Sequence, residues 1–63
     1  MINETWFHPE DDEVKVEFDL SLGQWVVMVL CEMIDYSYKW VEWHSFNRRD
    51  DAIAWASNPQ NVA

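Results

Sequence analysis

Residues 14–20 alternate without a break. Val14, Val16, Phe18 and Leu20 fall on one side of an extended chain, and Lys15, Glu17 and Asp19 on the other. That pattern predicts a strand with one buried and one wet face. Ser21-Leu22-Gly23-Gln24 follows. Gly23 is the only glycine in the chain and is expected at a positive-φ turn position. Residues 25–33, Trp-Val-Val-Met-Val-Leu-Cys-Glu-Met, are rich in Val and open on a Trp, which favours a strand. Apolar side chains at both parities make it a central strand, covered on both faces. A helix is the rival reading. Ser21 and Gln24 fit a capping box, and Leu22, Val26, Val29, Leu30 and Met33 recur at helical spacing. The β-branched density and the strand before it favour the extended form.

The rest of the chain fits around this pair. Ile34-Asp35-Tyr36-Ser37 reads as a turn, and residues 38–46 as a third strand. One of its faces carries Tyr38, Trp40, Glu42, His44 and Phe46, the other Lys39, Val41, Trp43 and Ser45, and neither is uniform. Asn47 is the expected N-cap of a helix over 47–57, with Asp50 and Asp51 set against its dipole and Ala52, Ile53, Trp55 and Ala56 as its apolar stripe. Asn58-Pro59 ends it, and 58–63 is a frayed tail. Residues 1–13 read as an irregular acidic arm, because Pro9 and the run Glu10 to Glu13 disfavour a strand. Trp6 and Phe7 in that arm are expected to dock on an exposed edge of the core. The predicted fold is α+β: one domain over 1–63, a three-stranded antiparallel meander (14–46) followed by one C-terminal helix.

A chain of 63 residues buries only about 60% of its unfolded surface, so it needs added support. Disulfides are excluded, because Cys31 is the only cysteine; a lone thiol fits a reducing, cytoplasmic setting. Five Trp supply the support instead, or a partner chain does. Met1-Ile2-Asn3-Glu4 has neither the basic nor the apolar region of a signal peptide. The longest apolar run, Trp25 to Cys31, falls short of the roughly 20 residues of a membrane span.

Charge narrows the partners. Twelve acids against four Lys and Arg give a formal charge of −8. Direct nucleic-acid binding and anionic membranes are disfavoured, and basic partners are favoured. Residues 4–19 hold seven acids (Glu4, Glu10, Asp11, Asp12, Glu13, Glu17 and Asp19) opposed only by Lys15. Glu17 and Asp19 share the outer face of their strand about 7 Å apart, comparable with the charge spacing along a phosphate backbone. Such a row can occupy a groove built for nucleic acid. It also serves to keep a small protein soluble.

Catalysis is not expected. His8 and His44 are far apart in sequence, there is no Gly-rich phosphate loop, and Ser45 and His44 face opposite ways as strand neighbours. A Cys31–His44 dyad would need those two positions to pair, and an apolar strand raises a thiol pKa. No cofactor and no metal site are expected. His8 to Glu13 carries one imidazole and four carboxylates, but without fixed geometry or the alternation and glycine of a calcium loop. Tyr36, Tyr38, Trp40 and Trp43, near Asp35 and Glu42, offer an aromatic cage for a quaternary ammonium or methylated Lys, or simply the core.

One helix covers one face of a three-stranded sheet. Either Val26, Met28 and Leu30 or Trp25, Val27 and Val29 are therefore left for the Trp6-Phe7 arm, a second copy or another protein to cover. In size, in the acid-rich stretch Glu10 to Asp19, in its single Cys and in the β-β-β-α pattern closed by Asn47 to Ala56, the chain resembles the small acidic proteins that phages make against host nucleic-acid machinery, anti-CRISPR proteins and other DNA mimics among them. The resemblance implies a non-enzymatic inhibitor that binds a basic surface on a nuclease or surveillance complex. The contact residues expected are Glu10, Asp11, Asp12, Glu13, Glu17 and Asp19, with Trp6 and Phe7 as apolar anchors. The alternatives are a small homodimeric structural or adaptor protein joined through the helix-free face, and an aromatic-cage reader.

Overall fold

The computed structural model describes residues 5–58 and 60. Five elements follow in order: β1 (Thr5–Phe7), β2 (Val14–Asp19), β3 (Gln24–Glu32), β4 (Tyr38–Phe46) and α1 (Arg49–Ala56). The strands form one antiparallel sheet in the order β1-β2-β3-β4, with the C-terminal helix packed across it. The α+β class holds, but the sheet has four strands rather than three.

The added strand corrects the expected arm. Thr5, Trp6 and Phe7 pair with Glu17, Val16 and Lys15. Residues 8–13 then form an ordered connection. The His8 N–H donates to the Val14 carbonyl at 3.0 Å, the Val14 N–H to the Asp11 carbonyl at 3.2 Å, and the Leu30 N–H to the Glu13 carbonyl at 2.8 Å. Pro9 is accommodated because it lies beyond the last paired residue of β1. Residues 1–4, 59 and 61–63 lie outside the described residues, and with them Glu4 and most of the expected tail.

Registry decides which side chains share a face. Val14, Val16 and Phe18 of β2 stand opposite Val29, Val27 and Trp25 of β3. This is the face under the helix. Val14, Val16, Val27, Ala52 and Ala56 form its core, each at most 1% exposed, with Trp6, Trp25, Phe46, Ile53 and Trp55 packed around them. The alanines let the short helix approach the sheet closely. Aromatic rings fill the flank: Phe18 on Trp25 at 5.1 Å, His44 stacked on Phe46 at 4.8 Å, and His44 edge-on to Trp55 at 5.2 Å. Leu20, expected on the inner face, is 56% exposed, because β2 ends at Asp19 and Leu20 lies in the turn.

Residues 24–32 are strand, not helix. Ser21 does not cap; its N–H and its hydroxyl both donate to the Asp19 carboxylate, at 2.9 and 2.6 Å. Gly23 takes φ 66°, as its uniqueness predicts. The mixed faces of β4 also have a cause. Val27 and Met28 are neighbours on β3, yet they pair with His44 and Glu42, leaving Trp43 as the extra residue of a β-bulge. Tyr38, Trp40 and Glu42 therefore face one way, and His44 and Phe46 the other. The helix cap differs as well. Arg48 is the N-cap residue and has no side-chain acceptor to cap with, while the Asn47 side chain accepts from Gln24 Nε2 at 3.1 Å.

Candidate protein-binding face

The face away from the helix carries Val26, Met28 and Leu30 from β3, which resolves the choice left by the sequence. In register beside them stand Lys15 and Glu17 of β2, and Glu42, Trp40 and Tyr38 of β4. Phe7, paired with Lys15, lies on the same face and is 59% exposed. Its neighbour Trp6 points to the helix side, where it packs on the core and meets His8 edge-on at 5.7 Å. The two expected anchors are thus split between faces.

Lys15 organises the middle of this face. Its Nζ lies 4.3 Å from the centroid of the Trp40 ring and 3.2 Å from Glu17 Oε2. Lys15 is on β2 and Trp40 on β4, so the side chain spans β3, a crossing of about 10 Å. Met28 is the register partner of Lys15 on β3, so the aliphatic stem runs past it while the ammonium rests on the indole. Only 14% of the Lys15 side chain is exposed, against 39% of Glu17.

Two grooves flank that strap. One, of about 270 Å³, is lined by Glu17, Asp19, Val26, Met28 and Glu42 together with Phe18 and Leu20. The other, of about 500 Å³, is lined by Asp12, Glu13, Leu30, Glu32 and Tyr38. Each has carboxylates around an apolar floor. Val26, the floor of the first, is 3% exposed although no helix lies over it.

The expected acids take different parts. Glu17 lines the first groove, and Asp12 and Glu13 line the second. Asp19 reaches the first groove but also builds the β2–β3 turn. Its carboxylate accepts from the Ser21 hydroxyl, the Leu22 N–H and the Ser21 N–H, and these bonds hold its pKa below the ordinary 3.8. Asp11 accepts from the Glu13 N–H at 2.9 Å and so shapes the loop. The Glu10 N–H donates to His8 Nδ1, and Glu10 lines neither groove. Asp11, Asp12 and Glu13 bring carboxylate oxygens within 4.8 Å of one another, an exposed acidic loop that adds to the negative field. Glu42 and Glu32 also line the grooves, and the sequence does not single them out. Strand alternation alone places Glu42 with Trp40, but the bulge that keeps it with Met28 leaves no mark in the sequence.

The other constellations the sequence leaves open do not assemble among the described residues. Cys31 pairs with Lys39 and His44 with Val27, four residues apart along β3, about 13 Å. His44 belongs instead to the aromatic group with Phe46 and Trp55. The cage aromatics are dispersed too. Lys15 occupies the Trp40 ring, Tyr36 is 83% exposed at the β3–β4 turn, and Trp43 sits in the bulge.

That turn has a feature of its own. Tyr36 has φ 66° without being glycine. The Tyr36 N–H donates to the Met33 carbonyl at 3.0 Å, the Met33 N–H to the Ser37 carbonyl at 2.7 Å, and the Asp35 carboxylate accepts from the Ser37 hydroxyl and N–H. Those last bonds also lower the Asp35 pKa below 3.8. Asp-x-Ser therefore recurs at both hairpins, at Asp19 and at Asp35.

No protein-family model, curated protein or solved structure matches the chain. Among the described residues, no helix is long and apolar enough to cross a membrane.

Proposed function

We propose that the protein is a non-enzymatic acidic binding protein that occupies a basic surface of a nucleic-acid-handling protein through its helix-free sheet face, and so inhibits it. The observation that carries this reading is the pairing of carboxylates with apolar floor in two grooves on a face that no helix covers. Apolar surface supplies affinity on burial, and the carboxylates choose the partner and speed encounter. A second copy of the chain would set one acid-rich face, with Glu17, Glu32 and Glu42 against Lys15 alone, on another of the same charge. Repulsion of that kind favours a partner of opposite charge over a homodimer.

The test is capture from cell lysate on immobilised protein, with elution by a salt gradient and competition by added nucleic acid. A nuclease, polymerase or surveillance complex that elutes at moderate salt and is displaced by nucleic acid supports the reading. Glu17→Lys with Glu42→Lys should abolish that capture while the far-UV spectrum stays unchanged. Asp19 is left intact in this pair because its carboxylate also builds a turn. Normal capture by the folded double variant would overturn the assignment.

A further inference from the structure

The helix-free face is divided, and the division sets a spacing. The floors of the two grooves, Val26 and Leu30, lie four residues apart on β3 and face the same way, about 13 Å. Between them the Lys15 ammonium sits on Trp40 and pairs with Glu17 at the rim of the first groove, at 3.2 Å.

We infer that this face takes an extended segment of its protein partner that carries two cationic side chains four residues apart, with an uncharged residue between them at the position facing Lys15. The inference rests on the binding reading above and names the chemistry of its occupant. In an extended chain, residues i, i+2 and i+4 point to one side and i to i+4 spans about 13 Å, the separation of the two floors. One cation enters among Glu17, Asp19 and Glu42, and the other among Asp12, Glu13 and Glu32. Arg suits both positions: its stem lies along Met28 or Leu30, and its planar fork meets carboxylates in pairs. A cation at i+2 would meet Lys15 and no free carboxylate, because Glu17 is already paired with that ammonium at 3.2 Å. An apolar residue there rests on Met28 and the edge of Trp40 instead. Complementarity thus rests on two ends with carboxylates to offer and a middle that offers a cation none.

Two synthetic peptides of identical composition and charge make the test. Both are acetylated and amidated. One reads Gly-Arg-Thr-Val-Thr-Arg-Gly, with Arg at i and i+4; the other reads Gly-Arg-Thr-Arg-Thr-Val-Gly, with Arg at i and i+2. Each is titrated into the full chain at low salt, and amide chemical shifts are followed by NMR. The first is expected to bind about tenfold more tightly, the difference made by one additional seated guanidinium. Glu42→Gln or Glu32→Gln should each weaken the first peptide and leave the second less affected. Equal affinities for the two peptides would overturn the inference, as would shifts confined to α1 or no binding at millimolar peptide. Equal affinities beside successful salt-eluted capture of a basic partner would refute the spacing and leave the proposed function standing. Failure of capture, with the peptide preference intact, would do the reverse.

Discussion

Tyr36→Gly should make this protein more stable, although it deletes a large aromatic side chain. Tyr36 has φ 66° and is 83% exposed. A left-handed conformation costs an L-residue about 1–2 kcal/mol relative to glycine. Glycine returns about 0.5–1 kcal/mol of that through its greater freedom in the unfolded chain. Little burial is lost at such an exposed position. The net gain is about 0.7 kcal/mol. For a chain of 63 residues the unfolding entropy is about 130 cal/mol/K, so Tm should rise by about 5 °C. Differential scanning calorimetry at matched concentration reads this directly. The turn bonds from Ser37 to Asp35 involve no Tyr36 side-chain atom and should survive. A fall in Tm would refute the reasoning, because Tyr36 would then make a stabilising contact that exceeds its backbone strain.

The converse holds at the other hairpin. Gly23 has φ 66° with no atom within 4 Å of an added Cβ, so Gly23→Ala should cost about 0.7 kcal/mol in urea unfolding, backbone strain less the same unfolded-chain entropy. Trp6→Ala should destabilise by about 2 kcal/mol, because Trp6 packs on the core from β1; an unchanged urea midpoint would remove β1 from the folded unit. Asp19 and Asp35 both have folded pKa values lowered from 3.8 by the Ser hydroxyl and backbone N–H bonds they accept. Their contribution is therefore complete above that value and is lost as pH falls through the lower folded value. Tm should drop below about pH 4, and Asp19→Asn with Asp35→Asn should flatten that drop.

What the sequence reveals here is what local pattern controls. The alternation at Val14, Val16 and Phe18 has one physical meaning, and β2 follows it. Gly23 stands at the positive φ that its uniqueness suggests. The β-branched run from Trp25 is a central strand with both faces apolar, and that pattern led to the helix-free face. What escaped depends on partners distant in sequence. Thr5-Trp6-Phe7 is too short to show a period, and it becomes a strand only because the edge of β2 is there to pair with. The bulge at Trp43 exchanges the faces of β4 midway, so period-two reasoning put His44 and Phe46 with Glu42 when they lie opposite. Asn47 looks like a cap until Gln24, 23 residues earlier, engages its side chain. The same limit held at the candidate site. Charge density drew attention to Glu10 to Glu13, whereas the grooves also need Glu42 and Glu32, single acids on strands whose neighbours only registry reveals.

The most direct test of the central claim is a methyl NMR titration of the full chain with the partner recovered by salt elution. Methyls of Val26, Met28 and Leu30 report the helix-free face, and those of Ile53 and Ala54 report the helix side. Shifts or broadening at the first three, with the helix methyls unmoved, are the expected result. Perturbation centred on Ile53 and Ala54, with Val26, Met28 and Leu30 silent, would contradict it and move the binding surface to the helix.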